Sequence, residues 1–206
     1  ATMKMQWKLK ERLTLMYVGV GIIPLLLSIT YVGITSNAIM KKQAVQYLQA
    51  KVDDFAKMAE IRRAGIEGNM DIIKNELIRS LKAELIKDAS KEKYFETGYL
   101  VIVQPDGTVL YHPSEKFTNN KILYDTYDWA RKAVDSKRGL FEYDLGGDKK
   151  VSYLAYVESL DWILWGGVPE HEILTEVISM KVKVYIFIAV ISLIVAVLGF
   201  LISTHI

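Results

Sequence analysis

Two stretches of this sequence contain no Lys, Arg, Asp or Glu: 22 residues at 13–34 and 23 residues at 184–206. An α-helix rises 1.5 Å per residue, so about 20 apolar residues cover a hydrocarbon core of roughly 30 Å. A spanning helix also satisfies its own backbone groups, which lipid cannot do for it. Both runs therefore predict transmembrane helices. Pro24 falls inside the first run, where neighbouring helices make it tolerable. A cleaved signal peptide fits this run poorly, because the run exceeds the usual apolar core and continues without an Ala-x-Ala site into a helical pattern.

The flanks set the orientation. Residues 1–12 carry Lys4, Lys8, Lys10 and Arg12 against Glu11 alone, whereas 35–183 holds nearly equal numbers of acidic and basic residues. By the positive-inside rule 1–12 is a cytoplasmic N-terminal arm, and 35–183 lies outside the cytoplasm. This predicts a two-pass membrane protein, with both termini cytoplasmic and 35–183 outside the cytoplasm, periplasmic or extracellular. The absence of cysteine excludes a disulfide framework. Ala1 and Thr2 ahead of Met3, and an end within a span, are expected of a piece of a longer protein.

Between the spans the hydrophobic period changes once. Val45, Leu48, Val52, Phe55, Ala59 and Ile66 repeat at three and four residues, which predicts helix over about 35–68. Gly68 and Asn69 offer a turn, and Ile73, Leu77, Leu81 and Leu85 predict a second helix over about 71–88. After Lys93 the pattern becomes that of strands: 98–103, then 108–112 beyond the Pro105-Asp106-Gly107 turn, then 140–145, 151–157 and 162–168. Residues 113–127 read as irregular, with a short helix around 129–135. An exit helix begins near Pro169. The fold class is α+β: long N-terminal helices (35–92) packed on a roughly five-stranded antiparallel sheet (98–168), an exit helix at 169–183, and a transmembrane helix on either flank.

The chemistry of catalysis is missing. No Gly-x-Ser-x-Gly, Walker or His-Glu-x-x-His motif occurs, and His112, His171 and His205 are too scattered for a local metal motif. The reading is a non-enzyme without cofactor or metal, and the near-neutral segment offers no basic patch for nucleic acid. The glycine pairs at 146–147 and 166–167 read as backbone devices. Binding has better support, since the sheet half is rich in Tyr and Trp, which join apolar area to a polar tip.

The segments GYLVIVQPDGTVLYHP (98–113) and KKVSYLAYVESLDWILWGGV (149–168), in the order span, long helix, sheet, span, resemble the single Cache domain family. These are PAS-like extracytoplasmic sensors of bacterial chemoreceptors and sensor kinases. Many relatives carry a glycine-containing connection after Pro113, where this chain has SEKFTNNKILYDTYDW. The resemblance implies a homodimeric receptor in the lipid membrane that binds a small molecule, often a short carboxylate, and signals through the second span. A methyl-accepting chemotaxis receptor is the expected output, with a histidine kinase, a cyclase or a module for a periplasmic protein partner as alternatives. It further implies a cytoplasmic HAMP linker and output domain beyond the C-terminus.

With that resemblance, His112 at a strand end becomes a pocket candidate. Tyr111, Trp129, Tyr143, Tyr153, Trp162 and Lys150 are further candidates for holding an organic acid. Arg62 interrupts the apolar stripe of the long helix. It reads either as a snorkelling or dimer-facing arginine or as a guanidinium for a carboxylate.

Overall fold

The computed structural model describes residues 9–68 and 70–205, with some side chains of the helices outside that description. The chain divides into two compact units, Lys41–Ile173 and the helical segments that precede and follow it in sequence. Helix α1 (Leu9–Ala64) and helix α5 (Glu170–His205) each contribute to both units. In the helical unit, Lys181 Nζ donates to the Gly33 carbonyl at 3.0 Å and to Asn37 Oδ1 at 2.8 Å. Thr30 and Thr35 return their hydroxyls to the carbonyls of Leu26 and Tyr31, which satisfies them inside an apolar stretch.

Among the described residues no helix is long and apolar enough to cross a membrane. The run at 13–34 is helical throughout and that at 184–206 is helical to His205, but each includes side chains outside the description, so the expected spans fall partly outside the described residues. The arm at 1–12 lies mostly outside them too, with Leu9 opening α1.

The Lys41–Ile173 unit is built on one antiparallel sheet. After α2 (Asp71–Ala89) come β1 (Lys93–Tyr94), β2 (Gly98–Val103), β3 (Val109–Tyr111), β4 (Gly139–Leu145), β5 (Asp148–Val157) and β6 (Trp162–Pro169). The order is β1-β2-β6-β5-β4, and β3 pairs with β2 beyond a register shift at Ile102/Val103. The 113–127 segment is more ordered than expected: it holds a turn of 3-10 helix at Glu115–Phe117 and helix α3 (Ile122–Thr126), followed by α4 (Asp128–Ser136).

Strand alternation divides the side chains between two cores. One face carries Leu100 and Ile102, Val151, Tyr153, Ala155 and Val157, and Trp162, Leu164 and Val168, packed on Leu48, Val52 and Phe55 of α1 and Leu81 and Leu85 of α2. The other carries Val101 and Val103, Leu154, Ile163 and Trp165, packed on Leu123 of α3 and Ala130, Ala133 and Val134 of α4. Both faces are covered, which is why β6 reads as one continuous apolar run rather than an alternating one. Ile73 and Leu77, placed on the α2 stripe by their spacing, are instead exposed. The packed part of that helix is Leu81, Leu85 and Ala89.

Two glycine pairs shape this unit. Gly146 and Gly147, at φ +68° and +89°, close the β4–β5 hairpin in a turn that demands the left-handed region twice. At Gly166 the reason is space: a Cβ there would stand 2.4 Å from Val52 Cγ2, 3.0 Å from Tyr94 Cε2 and 3.2 Å from Leu48 Cδ1. The missing side chain lets α1 lie against β6.

Candidate ligand pocket

The second face of the sheet forms the floor of a narrow cleft, and the 112–129 segment forms its roof. Register places Tyr99 opposite Gly167 and Val101 opposite Trp165. Across β5, Tyr143 of β4 lies opposite Lys150, and Ser152 opposite Gly167. His112, Leu123 and Trp129 complete a lining that also includes Tyr99, Tyr143 and Trp165. The cleft has a free volume of about 10 Å³, room for about one water. Trp129 fills it: its ring stacks on Tyr143 at 4.3 Å and on Tyr127 at 5.0 Å, and meets Trp165 edge-on at 5.7 Å.

The polar groups around this aromatic box are donors. The indole N–H groups of Trp129 and Trp165, like that of Trp162 in the other core, are buried without a hydrogen-bond partner among the described residues. Such a donor costs about 1–3 kcal/mol relative to a satisfied one. Lys150 Nζ sits 5.1 Å from the centre of the Tyr99 ring, 3.5 Å from its hydroxyl and 3.9 Å from Asp148 Oδ2, so this mostly buried side chain is only loosely paired with a carboxylate. Burial, with Tyr99 and Asp148 nearby, pushes the Tyr143 phenol far up, and it remains a neutral hydroxyl.

His112 is buried, its ring held edge-on between Tyr99 at 5.1 Å and Phe117 at 5.0 Å. Its Nδ1 accepts the Ser114 N–H at 2.9 Å, so the neutral ring carries its proton on Nε2. Burial pulls the imidazole down to about 4, and the Lys150 ammonium acts in the same direction. The folded chain therefore takes up this proton less readily than the unfolded one, which titrates near 6.5. Stability from this group is present above pH 6.5 and is lost as pH falls toward 4, by up to roughly 3 kcal/mol. Denaturant unfolding at pH 7 and pH 4.5 should show the wild type losing more stability than His112→Asn, which keeps an acceptor for Ser114. Equal losses in the two proteins would contradict this account.

Of the candidates read from the sequence, the cleft brings together His112, Trp129, Tyr143 and, beside Tyr99, Lys150. Four others lie elsewhere. Tyr111 packs with the α1-facing core, the opposite side from His112. Tyr153 is on that side too, its hydroxyl 3.4 Å from Asp53 Oδ2 and 3.5 Å from Arg138 Nε. Trp162 is buried in the same core, with Lys82 Nζ 5.5 Å from its ring. Arg62 pairs with Asp88 at 3.0 Å and Glu84 at 3.8 Å between α1 and α2, so its guanidinium is engaged by carboxylates of α2. Tyr99 and Trp165 belong to the Tyr- and Trp-rich set that supports binding but not to the individual candidates; their shared strand parity with Val101 and Ile163 is the signal that singles them out.

A larger groove of about 300 Å³ between α1 and α2 includes Lys51, Asp54, Asp88 and Lys91. Asp88 there is already paired with Lys91 and Arg62, whereas the lining of the smaller aromatic cleft includes two tryptophans with unsatisfied indole N–H groups. Among the described residues no cluster of His, Asp and Glu could hold a metal ion.

A family model for the Cache 3/Cache 2 fusion domain matches residues 74–182, over half the chain. The chain belongs to this Cache family. Three solved structures match parts of the chain. The extracellular domain of the putative histidine kinase mmHK1S-Z3 is 28% identical over 47% of this chain and 39% of its own, with a TM-score of 0.41. The ligand-binding domain of Mlp24 with asparagine is 25% identical over 46% of this chain and 38% of its own, at 0.39. A methyl-accepting chemotaxis protein from Vibrio parahaemolyticus is 14% identical, covered over 97% of its length and 68% of this chain, at 0.51. The chain thus spans about two-fifths of the first two and nearly all of the third, whose likeness is one of fold. A comparison with curated proteins found no match.

Proposed function

We propose that this Cache domain is the extracytoplasmic sensor of a two-pass bacterial receptor that binds a short-chain carboxylate in the aromatic cleft and signals along α5. The observation that carries the ligand class is the donor surplus. Two orphaned indole N–H groups and a loosely paired ammonium surround a lining with no acidic side chain. An acceptor anion satisfies all of them, whereas the ammonium of an amino acid finds no carboxylate in the lining. With room for about one water, the cleft admits such an acid only when Trp129 lifts from Tyr143.

Membrane anchorage is supported by the uncharged runs and by their described side chains. Leu26, Leu27 and Tyr31 of α1 and Phe187, Leu193 and Leu198 of α5 are more than half exposed, an apolar surface that lipid would cover. A homodimer is supported by the exposed Ile61, Ile73 and Leu77 on the helical side of the sensor unit. Membership of the Cache family supports a methyl-accepting chemotaxis output, read through a HAMP linker.

Calorimetry of the full chain in nanodiscs against C2–C4 monocarboxylates and against amino acids tests the ligand class. The expected result is saturable binding of at least one monocarboxylate, a change in tryptophan fluorescence as Trp129 moves, and at least about tenfold weaker binding of the matching amino acid. Absence of binding by every acid at millimolar concentration would reject the carboxylate reading.

A further inference from the structure

The cleft leaves unused a second buried polar group, the carboxylate of Glu172. It lies in the first turn of α5 and is 8% exposed. Both oxygens are engaged by the turn between β1 and β2. Oε2 accepts the backbone N–H groups of Glu96 at 3.1 Å and Thr97 at 3.2 Å, and Oε1 accepts the Thr97 hydroxyl. An acid three residues into a helix is also favoured by the positive end of the helix dipole. Here it does not fold back on its own N-terminus, as a capping glutamate does, but reaches 75 residues back along the chain.

The turn it grips is strained. Phe95 stands at φ +55°, in the left-handed region, which is unusual for so bulky a residue. Three residues on, Gly98 is pinned: a Cβ there would be 2.4 Å from the Tyr94 carbonyl oxygen and 2.8 Å from that of Gly167. The next residue is Tyr99, the cleft wall, paired with Gly167. The strand that follows Gly167 ends at Pro169, opposite Lys150, and α5 begins at the next residue. There Glu170 is held by Lys41 at 2.8 Å.

We propose that Glu172 is a latch that makes the first turn of α5 and the Phe95–Thr97 turn one opening unit, with the strain at Phe95 as the load it holds. The latch is a positioning device and stands whatever the cleft binds. Because Tyr99 and Gly167 adjoin both of its ends, a displacement of that rung reaches α5 by a second route besides the chain itself.

Hydrogen exchange on the full chain in nanodiscs reads the latch directly. In Glu172→Ala, the segments 94–99 and 170–175 should exchange faster together, by about tenfold or more, while the β4–β5 hairpin at 139–157 keeps wild-type rates. Glu172→Gln, whose amide oxygen still accepts the two N–H groups, should recover much of the protection in both segments. If Glu172→Ala loosens the whole sheet, Thr97→Val decides, since it removes one donor and should speed both segments by about threefold. Acceleration confined to one segment, unchanged rates in both, or acceleration spread evenly over the sheet in Thr97→Val would overturn the latch.

Discussion

Gly166→Ala lowers the stability of the sensor unit by about 2–3 kcal/mol, while Gly167→Ala, one residue on, changes it by less than about 1 kcal/mol. The two glycines share a strand and a backbone conformation compatible with any residue, so propensity alone would favour both substitutions. Space decides otherwise. At 166 the new methyl would lie 2.4 Å from Val52 Cγ2 and close to Tyr94 and Leu48, all buried, so α1 must move off the sheet. At 167 it would meet Ser152 Cβ and the Tyr143 hydroxyl, each at 3.6 Å, which is ordinary contact. That methyl projects into the cleft, so Gly167→Ala should weaken ligand binding without loosening the fold. Thermal and denaturant unfolding of the two variants checks the pair. Equal losses of stability would mean that α1 yields freely and that its packing on β6 is not what fixes Gly166.

This contrast also shows what the sequence could disclose. The strands at 98–103 and 162–169 were legible because a β-rich apolar run bounded by turn residues has few other solutions. The hairpin at Gly146-Gly147 was legible because two positive φ angles ask for that pair. Strand β1 is two residues long and has no period to detect. Helix α3 is five residues long and only Leu123 of it is buried, so nothing in its pattern separates it from loop.

For the cleft, alternation fixes which residues of a strand share a face, as with Tyr111 against His112. It does not say which face α1 will cover. That choice is made by the approach at Gly166, and it sends Tyr153 and Trp162 to one core and Tyr143 and Trp165 to the other. The spacing of Arg62 was visible, but its partners Glu84 and Asp88 lie on a different helix that only the fold brings near. The fate of Ile73 and Leu77 follows the same rule, since spacing defines a stripe and the length of the covering surface defines how much of it is buried.

Lys150→Met weakens binding of the acid that fits the cleft best by about a hundredfold and leaves the fold at or above wild-type stability. The Lys150 side chain is 13% exposed and its ion pair with Asp148 is long, at 3.9 Å, so the charge contributes little to the free protein. Methionine keeps the apolar stem against Tyr99 and removes only the charge. An anion in the cleft loses a charge-assisted partner in a dry setting, which costs about 3 kcal/mol. Trp165→Phe, which deletes one orphaned N–H and keeps an aromatic ring, should cost less, about 1 kcal/mol of affinity. A second readout needs no ligand. Burial holds the His112 imidazole down and the Lys150 ammonium adds a smaller push in the same direction, so Lys150→Met moves the His112 titration slightly upward from about 4, as followed by NMR. An unchanged affinity together with a raised His112 titration would place the ammonium beside the histidine but outside the ligand's reach, and the anion would then rest on the two indoles alone.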